Sequence, residues 1–183
     1  DYAVNASLAI TNIALKKYDR AGLITFSDKI GATVKADSKA THLNKILNAL
    51  YAETERPVEA NYELLYYAAR KLITGRSLML LYTNFESRFA LERVLPVLRR
   101  INRTHLLVVI FFENTEIRSF IEEEAGNIED IYLQTVARKY LNEKAQMVQQ
   151  LRQYGIQAVL TRPQDLSVNT VNKYLELKSR GLI

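Results

Sequence analysis

The chain has no cysteine and no tryptophan, and only two histidines, three prolines and six glycines among 183 residues. Each shortage closes off a class of chemistry. Without cysteine there are no disulfides, thiolate metal sites or cysteine nucleophiles. The six glycines include none in a Gly-rich turn between a strand and a helix, which argues against the backbone cradles of dinucleotide and nucleoside triphosphate sites. A Ser-His-Asp hydrolase needs a histidine beside its nucleophile. His42, in the first turn of a predicted helix, and His105, just before a predicted strand, have no serine elbow near them in sequence, and both are read as surface or rim side chains. Also missing are a run of about 18 apolar residues and a basic-then-apolar leader, so the segment is read as neither spanning a membrane nor carrying a signal peptide.

What is present is an ordinary globular composition, 48% hydrophobic and 25% charged, enough for one compact domain over 1–183 with a substantial core. The net charge of +5 comes from 25 basic against 20 acidic residues scattered along the chain. The tightest basic group, Arg99, Arg100 and Arg103, falls at the end of a predicted helix, where the dipole favours cations. A nucleic-acid interface would need a denser footprint.

Apolar periodicity predicts strands alternating with helices. "DYAVNASLAITNIALKKYD" has apolar residues round most of a helical circumference, which predicts a first helix buried on nearly every side. "AGLITFS" (21–27) reads as a strand and "GATVKA" (31–36) as an alternating edge strand. Helices are predicted over 41–51 and 61–73. A buried strand follows at 77–83, then a helix over 87–103 with a kink at Pro96, and "LLVVIFF" (106–112) is the most strand-like run. After an acidic short helix, "IEDIYLQTVARKYLNEKAQMVQQLRQY" predicts one long helix whose apolar contacts are Ile128, Ile131, Tyr132, Val136, Tyr140, Met147, Val148 and Leu151, closed by Gly155. A strand at 156–160 and a helix at 167–181, opened by a Ser cap and closed by Gly181, complete the chain.

This alternation implies βαβ units and a mostly parallel, doubly wound sheet covered on both faces. Such a domain begins with a strand that feeds its first helix, whereas this chain opens on the helix. The expectation is therefore an α/β fold lacking its first central strand.

In an open parallel sheet the binding crevice lies beyond the strand C-termini. The polar residues with that address are Ser27 and Asp28, Thr83 and Asn84, and Glu113 and Asn114, with Phe85 and Glu86 continuing the Asn84 loop. Thr83 and Asn84 have a second account as turn or cap residues for the helix that follows. The Glu122–Glu123–Glu124 run is read as a solvated acidic face, because adjacent helical residues diverge by about 100° and do not converge on one cation.

The buried first helix, "DRAGLITFSDKI", the antiparallel edge piece, "SLMLLYTNFES" and the closing "VNTVNKYLELKSRGLI" together resemble a von Willebrand factor A domain. More narrowly, "DYAVNAS" and "NKYLELKSRG" resemble the bacterial domain-of-unknown-function family 58, whose members are commonly encoded near MoxR-type AAA+ ATPases. The resemblance covers essentially the whole chain. It implies a six-strand sheet whose central strand precedes "DYAVNAS", a non-catalytic protein-interaction role beside such an ATPase, and a place on the cytoplasmic side of the bacterial inner membrane through segments outside this chain. It also implies a metal-ion-dependent adhesion site for Mg²⁺ or Mn²⁺, made of an Asp-x-Ser-x-Ser motif, a threonine and an aspartate. Here the first motif is absent, "ERPVEANYE" (55–63) offers no threonine, and the aspartate position holds neutral Asn84. Asp28, Thr83 and Asn84 are the remaining metal candidates, and the site is expected to be degenerate or absent. Two other readings stand beside the interaction module: a metal-assisted hydrolase with Asp28 and Glu113 as ligands, and a structural scaffold completed by a strand from elsewhere.

Overall fold

A computed structural model describes residues 2–54, 57–123 and 125–183. In chain order its elements are α1 (Tyr2–Lys16), β1 (Ala21–Phe26), β2 (Ile30–Asp37), α2 (His42–Tyr51), α3 (Tyr62–Leu72), β3 (Leu78–Tyr82), α4 (Arg88–Thr104), β4 (Leu106–Phe112), α5 (Thr115–Glu122), α6 (Ile128–Gln153), β5 (Gln157–Thr161), a 3₁₀ turn (Pro163–Asp165) and α7 (Leu166–Ser179).

Three parallel strands form the centre, in the order β3-β4-β5. Alternation sends Leu107, Val109 and Phe111 of β4, with Leu81 of β3 and Ala158 of β5, into a core shared with α3, α4 and α6. Val108 and Ile110 point the other way, against Ala6 of α1 and Leu166 and Leu177 of α7. Helices thus cover both faces of the parallel sheet, as the buried run "LLVVIFF" requires. α4 runs unbroken through Pro96, which sits on its exposed side.

β1 and β2 form a separate antiparallel pair, not hydrogen-bonded to the parallel sheet. Yet β1 feeds the same cores. Ile24 and Phe26 pack with the α3–α4–α6 side, and Ala21 joins Leu78 and Leu80 around Ile10, Ala14 and Tyr174. The starts of β1 and β3 therefore share one cluster, while their ends share Tyr62, whose ring lies 5.4 Å from that of Phe26 and whose hydroxyl bonds Thr83. Among the described residues β1 pairs only with β2, and β3 only with β4. β3, apolar but for the Tyr82 hydroxyl, is only half-buried apart from Leu81, whereas β4 is buried from Leu107 to Phe111.

Several expectations are corrected. α1 buries Ala6, Ile10, Thr11 and Ala14, a stripe rather than its circumference, and Val4, Leu8 and Leu15 are half-buried. On α6, Met147, Val148 and Leu151 are buried, but Ile128, Ile131, Tyr132 and Val136 are exposed, because the first half of this helix packs along its α5 side, through Gln134. His42 and His105 are both buried, not at the rim, since each sits where a helix end meets the sheet layer. Ser167 does not open α7. The 3₁₀ turn runs into the helix at Asp165, so Ser167 lies inside it. Asp1, Glu55, Arg56 and Glu124 lie outside the described residues, and with them part of the acidic run and of the threonine-free loop. Among the described residues no helix is long and apolar enough to cross a membrane.

Candidate functional site

The C-terminal ends of the parallel strands meet the middle of α6 and the start of α1. Thr83 continues the ladder through its N–H to the Ile110 carbonyl, and its hydroxyl is held by Tyr62, itself buried with its phenol pushed above the ordinary value by that burial. Asn84 follows at the mouth. It does not cap α4, because Ser87 does so by accepting from the Ala90 N–H.

Asn84 instead binds a lysine. Lys144 of α6 is 1% exposed, and its ammonium donates to Asn84 Oδ1 at 2.9 Å and to the Phe85 carbonyl. Its charge also lies over the rings of Tyr140 (5.4 Å) and Phe111 (6.0 Å). Burial pulls the Lys144 amine below the ordinary lysine value, opposed by the charges of Glu143 and Glu86. Sixty residues separate Lys144 from Asn84 in sequence, so no local motif announces the pair. The available signal is periodicity. Tyr140, Lys144, Met147, Val148 and Leu151 follow helical spacing on one stripe of α6, and a lysine at an inward position of such a stripe needs acceptors.

The other expected residues divide by role. The Phe85 ring is 3% exposed, against Tyr62 and Phe111, and serves the core rather than an outer surface. Glu86 is exposed beside it. Glu113 receives the Arg118 guanidinium at 2.9 Å, and Asn114 caps α5 by accepting from the Glu116 and Ile117 N–H groups. Ser27 donates to Asp28 Oδ1 at 2.8 Å, and its carbonyl accepts from the Asn61 N–H, tying the β1 end to α3. Asn84, Glu113 and Asn114 thus gather round one crevice, and Thr83 anchors its floor through Tyr62. Among the described residues no three His, Asp or Glu side chains converge as a metal site.

Two cavities adjoin here and share Glu113. One, of about 400 Å³, is lined by Asn84, Phe112, Asn114 and Tyr140 together with Tyr2 of α1. The other, of about 300 Å³, lies between α5 and α6 and is lined by Lys144 and Arg118. Two of the basic trio of α4 are engaged elsewhere: Arg99 lies over the Tyr154 ring, and Arg100 lies over Tyr66 and pairs with Glu63. Comparison with protein-family models, curated proteins and solved structures finds no match for this chain.

Proposed function

We propose that the chain is a non-catalytic protein-interaction module that docks its partner at the crevice beyond β3 and β4 and needs no metal to do so. The observation carrying this reading is the Lys144 ammonium on the oxygens of Asn84 and Phe85. An adhesion-type site would place a divalent cation at the Asn84 position. At about 4 Å and an effective dielectric of about 20, repulsion between such an ion and the ammonium is about 8 kcal/mol, more than a neutral amide oxygen and one hydroxyl would offset. The hydrolase reading gains little, since Glu113 is held by Arg118 and Asp28 lies at the end of β1 beside Ser27.

The resemblance to the family-58 A domains supplies the partner class, a MoxR-type AAA+ ATPase at the cytoplasmic face of the inner membrane. It also supplies the finer fold, a doubly wound sheet completed by one further strand between β1 and β3. In favour of that strand, β1 and β3 each have a strand neighbour on one side only among the described residues, and α1 starts at the C-terminal edge of the sheet, where Tyr2 lines the crevice and Ala3 and Phe112 join one apolar cluster. A parallel strand in the slot would end there.

Sedimentation velocity against a purified MoxR-type ATPase in EDTA tests the docking. The expected result is a complex that survives chelation and weakens at least tenfold with Glu86→Lys, at the exposed rim. A complex that requires Mg²⁺, or no complex, overturns the proposal.

A further inference from the structure

Lys144 is a buried charge whose partners are both neutral. Its two acceptors are an amide oxygen and a backbone carbonyl, and the carboxylates that act on it, Glu143 and Glu86, do so only at longer range. Glu143 is turned to the Arg88 N–H. An ammonium has three protons, so one donor of Lys144 is unspent among the described residues. Burying a cation without a directly paired counter-charge is costly, and beside Lys144 the protein leaves a space whose one wall carboxylate, Glu113, is already paired with Arg118.

That space is the cavity of about 300 Å³ walled by Leu141, Lys144 and Ala145 of α6, Leu160 of β5, and the Glu113–Arg118 pair. Arg118 spends its Nε and one Nη2 proton on a single oxygen, Glu113 Oε2, which leaves its Nη1 protons for another acceptor. The walls carry two cations and one anion. A monoanion neutralises the net charge of such a cavity, whereas a phosphate dianion would exceed it and meet Glu113 at close range.

We propose that this cavity is a carboxylate subsite, in which an acidic side chain of the docked protein is held by the third Lys144 proton and by Arg118. The proposal rests on the docking reading above and adds the chemistry that the partner must present. Lys144 then works in two directions, fixing the Asn84–Phe85 loop through two donors and receiving the partner through the third.

Acetate serves as the probe for an acidic side chain, acetamide as its uncharged counterpart and inorganic phosphate as the competing anion, each titrated into ¹⁵N-labelled full chain and followed by amide shifts. Saturable shifts with acetate in the millimolar range are expected at Asn84, Phe85, Arg118 and residues 141–145, with acetamide at least tenfold weaker. Lys144→Met should remove them and Arg118→Gln should weaken binding at least fivefold. Arg118→Gln decides alone if Lys144→Met does not fold. Equal responses to acetate and acetamide, tighter binding of phosphate, or no saturable shift overturns the subsite. A chelator-resistant ATPase complex formed despite that failure would leave the docking reading standing. Acetate binding without any such complex would remove the docking reading and keep the subsite.

Discussion

At the scale of single residues, the buried polar groups divide into those with directed partners and those without. Tyr82, the last residue of β3, belongs to the second kind. Its hydroxyl lies near Thr170 of α7 and Ser7 of α1, but Ser7 gives its proton to the Ala3 carbonyl, and neither Tyr82 nor Thr170 gains a well-directed hydrogen bond among the described residues. Burial accordingly pushes the Tyr82 phenol up to about 12. Because the folded value lies above the unfolded value of about 10, the stabilisation linked to the neutral phenol is complete below pH 10. It is lost as pH rises towards 12, about 3 kcal/mol in all. Tyr82→Phe should change stability at pH 7 by no more than about 1 kcal/mol and flatten that alkaline decline, as urea melts between pH 9 and 12 would read. An unchanged alkaline slope in the variant would place the titration elsewhere. Lys144 teaches the complementary lesson about legibility. Nothing distinguishes it among 25 basic residues until its place in the α6 stripe is weighed, and its partner is visible only once the chain is folded.

At the scale of elements, three helices end by one device. α1, α6 and α7 each close with paired bonds from the two residues after the cap: Tyr18 to Leu15 and Asp19 to Ala14, Gly155 to Arg152 and Ile156 to Leu151, Gly181 to Lys178 and Leu182 to Leu177. This closure turns the chain through positive φ, at +73° for Gly155 and +66° for Gly181. Both glycines were legible in the sequence, since glycine enters that region at little cost. α1 has Tyr18 there, at φ 60° and 92% exposed, and no property of a tyrosine announces it. Tyr18→Gly should therefore stabilise the protein by about 1 kcal/mol, a rise of about 2–4 °C in Tm for a chain of this size, read by calorimetry. A lower Tm would show that the exposed ring contributes more than its backbone strain costs. Strands were the most legible elements, because runs such as "LLVVIFF" have no other economical fate. The first half of α6 was misread for a physical reason: apolar spacing defines a face, but whether another element covers that face is decided elsewhere in the chain.

At the scale of the whole molecule, the dominant fact is that β1 and β3 share no ladder among the described residues. The Thr83 N–H and the Ser77 carbonyl both point to β4, so by alternation the Leu80 and Tyr82 amides face the open edge. Those amides should be on the order of a hundredfold less protected from hydrogen exchange than that of Val109 in the centre of β4. Equal protection would mean that the edge is paired in solution. The expectation of a sheet lacking one central strand came from a counting argument, that a doubly wound domain starts with a strand. Among the described residues β1 pairs only with β2, and β3 only with β4, which leaves that expectation a proposal. The site was legible in part. Strand order gave the address of Asn84 and Glu113, but the cation that meets Asn84 arrives from a helix four elements later.

A tethered cation differs from a bound one in a way that reaches beyond geometry. An ion held by protein oxygens comes and goes with its concentration outside, so a crevice built on one reports the supply of that ion. The Lys144 ammonium is present at a fixed stoichiometry from the moment the chain folds, and neither a chelator nor a change in divalent ion levels removes it. The loop carrying Asn84 and Phe85 is consequently set by folding itself, and under the docking reading proposed above its readiness would not follow the supply of divalent ions.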